Sequence, residues 1–363
     1  MSKYVDLFGA EGDVVSTAAG ALSAEFGAPP FSVFDARSGF WQARKNAWIA
    51  LGIQSEMGRG ENLLRFSDTV LQPDKAKRGT SGKPRAAAPE SGGPGSLAAG
   101  MKVVEDKGRG LTSSLKSGLA LGTTIHPFDG GDPQTVASAS GTSIFDPVLC
   151  ELFYRWFVPK GGHILDPFAG GSVRGIVASR LGYQYTGIDL RQEQVDANEH
   201  QAQKVCTAPY PQWHQGDSVE YRLPDESVDA FWSCPPYFNL EQYSDDPLDL
   251  SNMTYDDFLS SYYGIIQNAA DALKPDRFAG WVIGEVRDKD GFCRGLVPDT
   301  ISIFEKCGLR LYNDAILLMA VGSLSIRIGR QFRGSRKLGR THQHVLIFIK
   351  GNPKKAAEAV GND

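Results

Sequence analysis

From about residue 140 onward the chain alternates between short apolar runs and longer stretches with apolar residues every three or four positions. The short runs, at 163–166, 185–189, 228–233, 281–284, 315–319 and 345–349, have the length of strands, and another strand is expected just before Asp217. The longer spacing predicts helices over 145–157, 173–181 and 191–204. Thr254 opens a further helix, with Asp257 three residues on as its capping partner. Phe258, Tyr262, Ile265, Ile266, Ala269 and Leu273 mark the buried face of that helix. Strands and helices in alternation predict an α/β domain: a doubly wound, mixed but mostly parallel, Rossmann-like sheet that binds ligands at the C-terminal edge of its strands.

The first 140 residues have another texture. Residues 1–29 are small and slightly acidic and are expected to be poorly ordered. Over 31–71, Phe31, Phe34, Phe40, Trp41 and Trp48 interleave with Arg37, Arg44 and Lys45, and the apolar positions suit a short helix over 41–51. Residues 73–110 are rich in Gly, Pro, Ala and Ser, with eight Lys or Arg against four acids. Such a stretch has too little apolar surface to order itself and is expected to be flexible. The division that follows is an N-terminal aromatic and basic region over 1–72, a linker over 73–138, a catalytic domain over 139–351 and a disordered tail over 352–363. No internal repeat is present.

Composition narrows the class. A chain with 41% hydrophobic and 22% charged residues reads as globular, and it has neither a bilayer-length apolar run nor a leader pattern. Five cysteines without a CxxC pair suit reduced thiols, so a cytoplasmic setting is expected, without a metal site. The net charge of −4 does not announce a nucleic-acid binder, so the distribution of charge matters more than its sum.

Two turns carry candidate chemistry. Asp166, Pro167, Phe168, Ala169, Gly170, Gly171 and Ser172 stand where the first strand meets a helix. Glycines let that turn pass close to a ligand, and the helix N-terminus offers free amides. Asp189 ends the next strand 23 residues after Asp166, where an acid can accept from ribose hydroxyls. The second turn is Ser233, Cys234, Pro235, Pro236, Tyr237 and Phe238, after the strand at 228–233. Its consecutive prolines fix φ and hold the loop rigid. Exposed loop acids and a structural proline turn are the competing readings.

DPFAGGS closely resembles the cofactor loop, and SCPPYF the catalytic loop, of the S-adenosylmethionine-dependent methyltransferases that modify adenine N6 or cytosine N4 in DNA. The resemblance spans roughly 140–350 and implies a class I methyltransferase fold, S-adenosylmethionine as cofactor and DNA as partner. It assigns 166–172 to the methionine part, Asp189 to the ribose, and Asp217 with Ser218 to the adenine. Phe145 and Asp146, in the segment 142–146, resemble the family's extra cofactor motif. It also implies that a proline carbonyl of the second turn, with the side chain at its first position, accepts from the target amine. Tyr237 would then stack on a flipped base, with Phe238 as a second wall. Cys234 departs from the family's usual Asp, Asn or Ser, and a thiol is a weaker acceptor. Cytosine C5 modification with Cys234 as nucleophile, an RNA methyltransferase and a non-catalytic DNA-binding protein remain alternatives. The N-terminal block has a weaker resemblance to leader regions of phage-type DNA methylases, and packing against the catalytic domain is the other reading.

Residues 239–257 hold six acids and no Lys or Arg, as a solvated loop or a mobile cover. Glu285 ends a strand at the same edge and is a further candidate. Arg327, Arg330, Arg333, Arg336, Lys337 and Arg340 put six cations in fourteen residues, read as a glycine-containing loop that meets phosphates.

Overall fold

The computed structural model describes residues 3–5, 11–13, 22–23, 25–54, 145–240, 242–321 and 324–361. The predicted linker, and residues 142–144 of the extra cofactor motif, lie outside them.

Two short strands, β1 (Lys3–Val5) and β2 (Glu11–Asp13), pair antiparallel by themselves. The body of the protein is one sheet built from β3 (Val33–Asp35), β4 (His163–Asp166), β5 (Gln184–Asp189), β6 (Gln212–Gln215), β7 (Ala230–Ser233), β8 (Arg277–Ile283), β9 (Arg310–Leu318) and β10 (His342–Lys350). Their order across the sheet is β6–β5–β4–β7–β8–β10–β9–β3. From β6 to β8 every pairing is parallel, whereas β10 runs antiparallel to both neighbours and β3 is parallel to β9. The doubly wound, mixed and mostly parallel sheet expected from the alternation is therefore present.

The central strands read as continuous apolar runs because both faces of the sheet are covered. Along β10, Val345, Ile347 and Ile349 join one buried cluster while Leu346 and Phe348 join the other, the period of two that a pleated strand imposes. On the first face pack α1 (Gly39–Ala50), α2 (Pro147–Phe157), α3 (Val173–Arg180) and α4 (Gln192–Val205). On the second pack α5 (Tyr255–Ala272) and α6 (Leu296–Lys306). Gly280 is required on β8, since a Cβ there would drive into Phe153 and Trp232, whose rings stack at 4.3 Å. The capping pair holds: the Thr254 hydroxyl accepts the Asp257 amide and donates to its carboxylate at 2.7 Å.

Two expectations need correction, and one alternative is decided. The basic segment is not a loop throughout, because α7 (Leu324–Ser335) takes up most of it despite Gly329 and Gly334. The tail is not disordered: α8 (Pro353–Val360) is capped by Asn352, carries proline in its first turn and buries Ala356 completely. For the aromatic N-terminal block the packing alternative holds: β3 extends the sheet and α1 packs on α2. Glu151, fully buried on α2, accepts from the Arg44 guanidinium at 2.6 Å and from the Trp48 indole at 2.9 Å. Among the described residues no helix is long and apolar enough to cross a membrane.

Candidate active site

The chain leaves β4 for β5 on one side and returns to β7 on the other, so the sheet reverses direction at β4. The turns after β4 and β7 therefore rise side by side from the same edge. Asp166 joins them. Its Oδ1 accepts from the Ser233 hydroxyl and from the Phe168 amide at 3.2 Å, and its Oδ2 accepts from Arg174 Nε and from the Tyr185 hydroxyl at 2.6 Å. Both oxygens are filled and the residue is fully buried. Asp166 is thus a strut of the site rather than a ligand contact, which corrects its expected place among the cofactor residues.

Arg174, on α3, is the other half of this strut. Its guanidinium donates to the carbonyls of Phe168 and Ala169, the latter at 2.9 Å, and lies over the Phe145 ring at 4.6 Å. Burial is the largest single effect and opposes its charge, but the Asp166 carboxylate, with Tyr185 and Cys234 adding to it, holds its pKa above the ordinary value. Drawing these carbonyls inward leaves the loop's opposite side open. Gly170 sits there with φ +48°, its amide donating to Asp189 Oδ2 at 3.0 Å and its carbonyl accepting from Asn198 at 2.7 Å. Ser172 caps α3 without a side-chain bond to the helix, because its hydroxyl donates to Gln201 at 2.8 Å. Gly171 is half-buried beside it. The amides at the start of α3 thus have no side-chain cap.

Asp189 also accepts the Arg191 amide at 2.9 Å, and burial pushes its carboxyl pKa up. Asp217 accepts the Val219 amide on one oxygen at 2.9 Å, and its other oxygen has no partner among the described residues. The Ser218 hydroxyl donates to the Pro167 carbonyl at 2.6 Å, and Pro167, Ile188, Ser218 and Tyr221 line a small hollow there. That hollow is interior, closed by Leu165, Ile265 and Ala269, and is too small for a base. Open amides and two acid side chains along consecutive strand ends are the polar groups that a nucleoside joined to a charged tail would need. Phe168 lends backbone only, since its ring packs against Trp281 at 5.8 Å. Asp146 is spent as well: it caps α2 through the Val148 amide at 2.9 Å and pairs with Lys45 at 3.3 Å. Phe145, half-buried, edges against Trp232 at 5.8 Å.

In the second turn Pro235 is buried, and Cys234, Pro236 and Tyr237 are half-buried. The Tyr237 hydroxyl accepts from Gln343 Nε2 at 2.7 Å and stands 3.5 Å from Cys234 Sγ. Burial drives the phenol pKa well above its usual value, with Cys234 adding to the effect, so it stays protonated. A Cβ at Gly284, on the chain leaving β8, would lie 3.0 Å from the Tyr237 ring, so the ring's seat depends on that glycine. Phe238 is not a second wall. Its φ is +53°, and its ring is buried between Tyr255 and Phe258 with Arg294 over it at 4.9 Å. Glu285 is no active-site acid either, because its Oε1 accepts the amides of Val286, Gly295 and Leu296 and so caps α6. The acidic segment is braced by Asp249, which accepts from Ser244 at 2.9 Å and from Ser251 at 2.7 Å.

Reading the chain as motifs missed Arg174, Tyr185 and Gln343, and gave Ser233 a place in the second turn but no role. An arginine two residues past the glycine turn, inside an otherwise apolar helix start, was a signal for the first. Nothing local marks Tyr185 or Gln343.

A methyltransferase-domain family model matches residues 168–247, from the turn after β4 to the acidic segment. No curated protein matches the chain. Among solved structures the chain is similar to a TehB-like methyltransferase from Corynebacterium glutamicum, at 19% identity, 60% of this chain, 93% of that one and a TM-score of 0.37. It is similar also to the magnesium protoporphyrin IX methyltransferase of Synechocystis with S-adenosylmethionine bound, at 14% identity, 60% and 79% coverage and a TM-score of 0.35. A candidate DNA modification methylase from Thermus thermophilus gives 18% identity, 38% and 51% coverage and a TM-score of 0.29. The fold is the class I methyltransferase fold, and residues 168–247 within it are a methyltransferase domain whose cofactor is S-adenosylmethionine.

Proposed function

We propose that this enzyme methylates the exocyclic amino group of a base in DNA, adenine N6 ahead of cytosine N4. The observation that carries the reading is the direct tie between the two turns, Ser233 to Asp166, which sets the Cys234–Tyr237 turn against the glycine loop at one sheet edge. S-adenosylmethionine would be held by the amides of Gly171 and Ser172, by Asp189 at the ribose and by Asp217 and Ser218 at the adenine. Bound there, it supplies an electrophilic methyl group. The chain's own task is to prepare a poor nucleophile. An aromatic amine has its lone pair delocalised into the ring, and an acceptor such as the Pro235 carbonyl, aimed at an N–H, favours a more localised pair. Preorganised by two prolines, that acceptor costs little reorganisation. Tyr237 offers a ring fixed at both ends, by Gly284 at its face and by Gln343 at its hydroxyl, to a base drawn from the stack.

The cations support DNA as the polymer. Arg330, Arg333 and Arg336 are exposed and Lys337 and Arg340 partly so, and no described acid pairs with them; Arg327 lies in the same helix. Phosphates are the natural partners of such a set. Nucleoside mass analysis of DNA from cells expressing the wild type and Tyr237→Ala tests the proposal. N6-methyladenine or N4-methylcytosine is expected with the wild type and not with the variant. A DNA pool unchanged by the wild type would sink it.

A further inference from the structure

After β8 the chain makes a short arm before entering α6. Arg287 and Cys293 form an antiparallel bridge, the Arg294 amide donates to the Val286 carbonyl, and the Asp288 amide donates to the Phe292 carbonyl, each of these bonds at 2.9 Å. Inside the tip, Asp288 Oδ1 accepts the amides of Asp290 and Phe292 at 3.0 and 2.9 Å, and Gly291 takes φ +95°. The root is fastened to the catalytic turn, for Arg294 stands over the rings of Phe238 and Tyr255 at 4.9 and 5.0 Å. A turn bonded in this way is a stiff mount.

What the mount presents is Phe292, 72% exposed. Held on a bonded turn, the phenyl ring cannot fold back to cover itself. Lys337 packs so closely on Gly291 that a Cβ there would collide with it, which brings the cationic segment and Leu338, 74% exposed, alongside the arm. Asp290 is exposed at the tip, and Lys337, which packs on Gly291, has Arg336 and Arg340 within three residues of it along the chain. Because β7 and β8 are parallel neighbours, the arm and the catalytic turn rise from the same sheet edge.

We propose that Phe292 is a wedge that enters the base stack of duplex DNA next to the target nucleotide, while Arg336, Lys337 and Arg340 take the flanking phosphates. The proposal rests on the DNA reading above. Everting a base forfeits its stacking contacts, and a ring inserted in its place restores part of them. On a single strand there is no continuous stack to open, so the wedge has nothing to do.

The test compares wild type, Phe292→Ala and Phe292→Trp for transfer of a labelled methyl group to unmethylated duplex DNA and to the same DNA heat-denatured. Phe292→Ala should lose activity on duplex on the order of tenfold and keep most of it on single strands. Phe292→Trp should retain both activities, and its added indole emission should be quenched when duplex is bound. Duplex activity unchanged in Phe292→Ala, equal losses on both substrates, or an unquenched indole would each overturn the wedge while leaving the DNA reading in place. Wild type that labels neither substrate overturns the DNA reading, and the wedge with it.

Discussion

The two turns that make the site are held by opposite means. The loop over 166–172 is fixed by charge: a buried carboxylate and a buried guanidinium satisfy one another and then anchor a hydroxyl, a phenol and two carbonyls. The turn over 233–238 is fixed by shape: consecutive prolines, a ring seated on a glycine and a neutral amide at the ring's far end. In neither turn does the most prominent motif residue stand free. Asp166 is consumed as scaffold, and the acid groups with capacity left, Asp189 and Asp217, come from the ends of neighbouring strands. A charged anchor tolerates no neutral replacement of one partner alone, whereas a shape anchor tolerates whatever preserves volume.

The largest expected effect breaks the charged anchor. Asp166→Asn leaves Arg174 buried and unpaired, so urea unfolding should show a loss of about 3–5 kcal/mol. Adding Arg174→Met should return part of that stability, since an apolar replacement removes the stranded charge. A double variant no more stable than the single one would mean that Asp166 acts through Ser233 and Tyr185 instead.

The shape anchor should fail in catalysis rather than in stability. Tyr237→Ala is expected to reduce turnover on the order of a hundredfold with a smaller change in cofactor affinity, because it removes the surface that orients the target. If the thiol is a small polar wall beside the amine, as proposed, Cys234→Ser should stay active and Cys234→Ala should lose part of its rate. Inactive Cys234→Ser, with a denaturation-resistant adduct on DNA containing 5-fluorocytosine, would instead make the thiol a nucleophile attacking cytosine C6.

The smallest effect sharpens the contrast inside the cofactor region. Burial raises the Asp189 carboxyl pKa, so the ionised acceptor exists above that raised value and is lost as pH falls through it. Affinity for S-adenosylmethionine, measured by calorimetry, should therefore begin to weaken above the ordinary carboxylate range. Asp189→Asn should bind more weakly at neutral pH and lack that dependence. Parallel curves for the two proteins would remove Asp189 from the ribose.

The part of the molecule legible in the sequence is the part whose signals are local. The runs at 163–166 and 185–189 are buried on both faces, and the glycines between them mark a turn whatever surrounds it. What escaped depends on partners far along the chain. Gly329 and Gly334 argued for a loop, yet the segment holds a helix in this fold. β3 is three residues long and is defined by β9 rather than by its own pattern. Phe238 looked available to a base, but a left-handed backbone turns its ring into the core. The helix over 353–360 did carry its own signal, since asparagine followed by proline is a start that local rules recognise.

The buried bond between Arg44 and Glu151, and the pairing of β3 with β9, also bear on the order in which the protein can be made. Residues 33–35 leave the ribosome long before the strand that receives them, 310–318. Until that strand is made the aromatic segment has no sheet edge to join, and Trp41 and Trp48, which the finished fold buries, have no complete core to enter. Closure of so long a loop adds little to the thermodynamic balance, because its entropy grows only with the logarithm of length. It governs timing instead: β3 and the helix after it, made well before their partner strand, are fixed in place only after it.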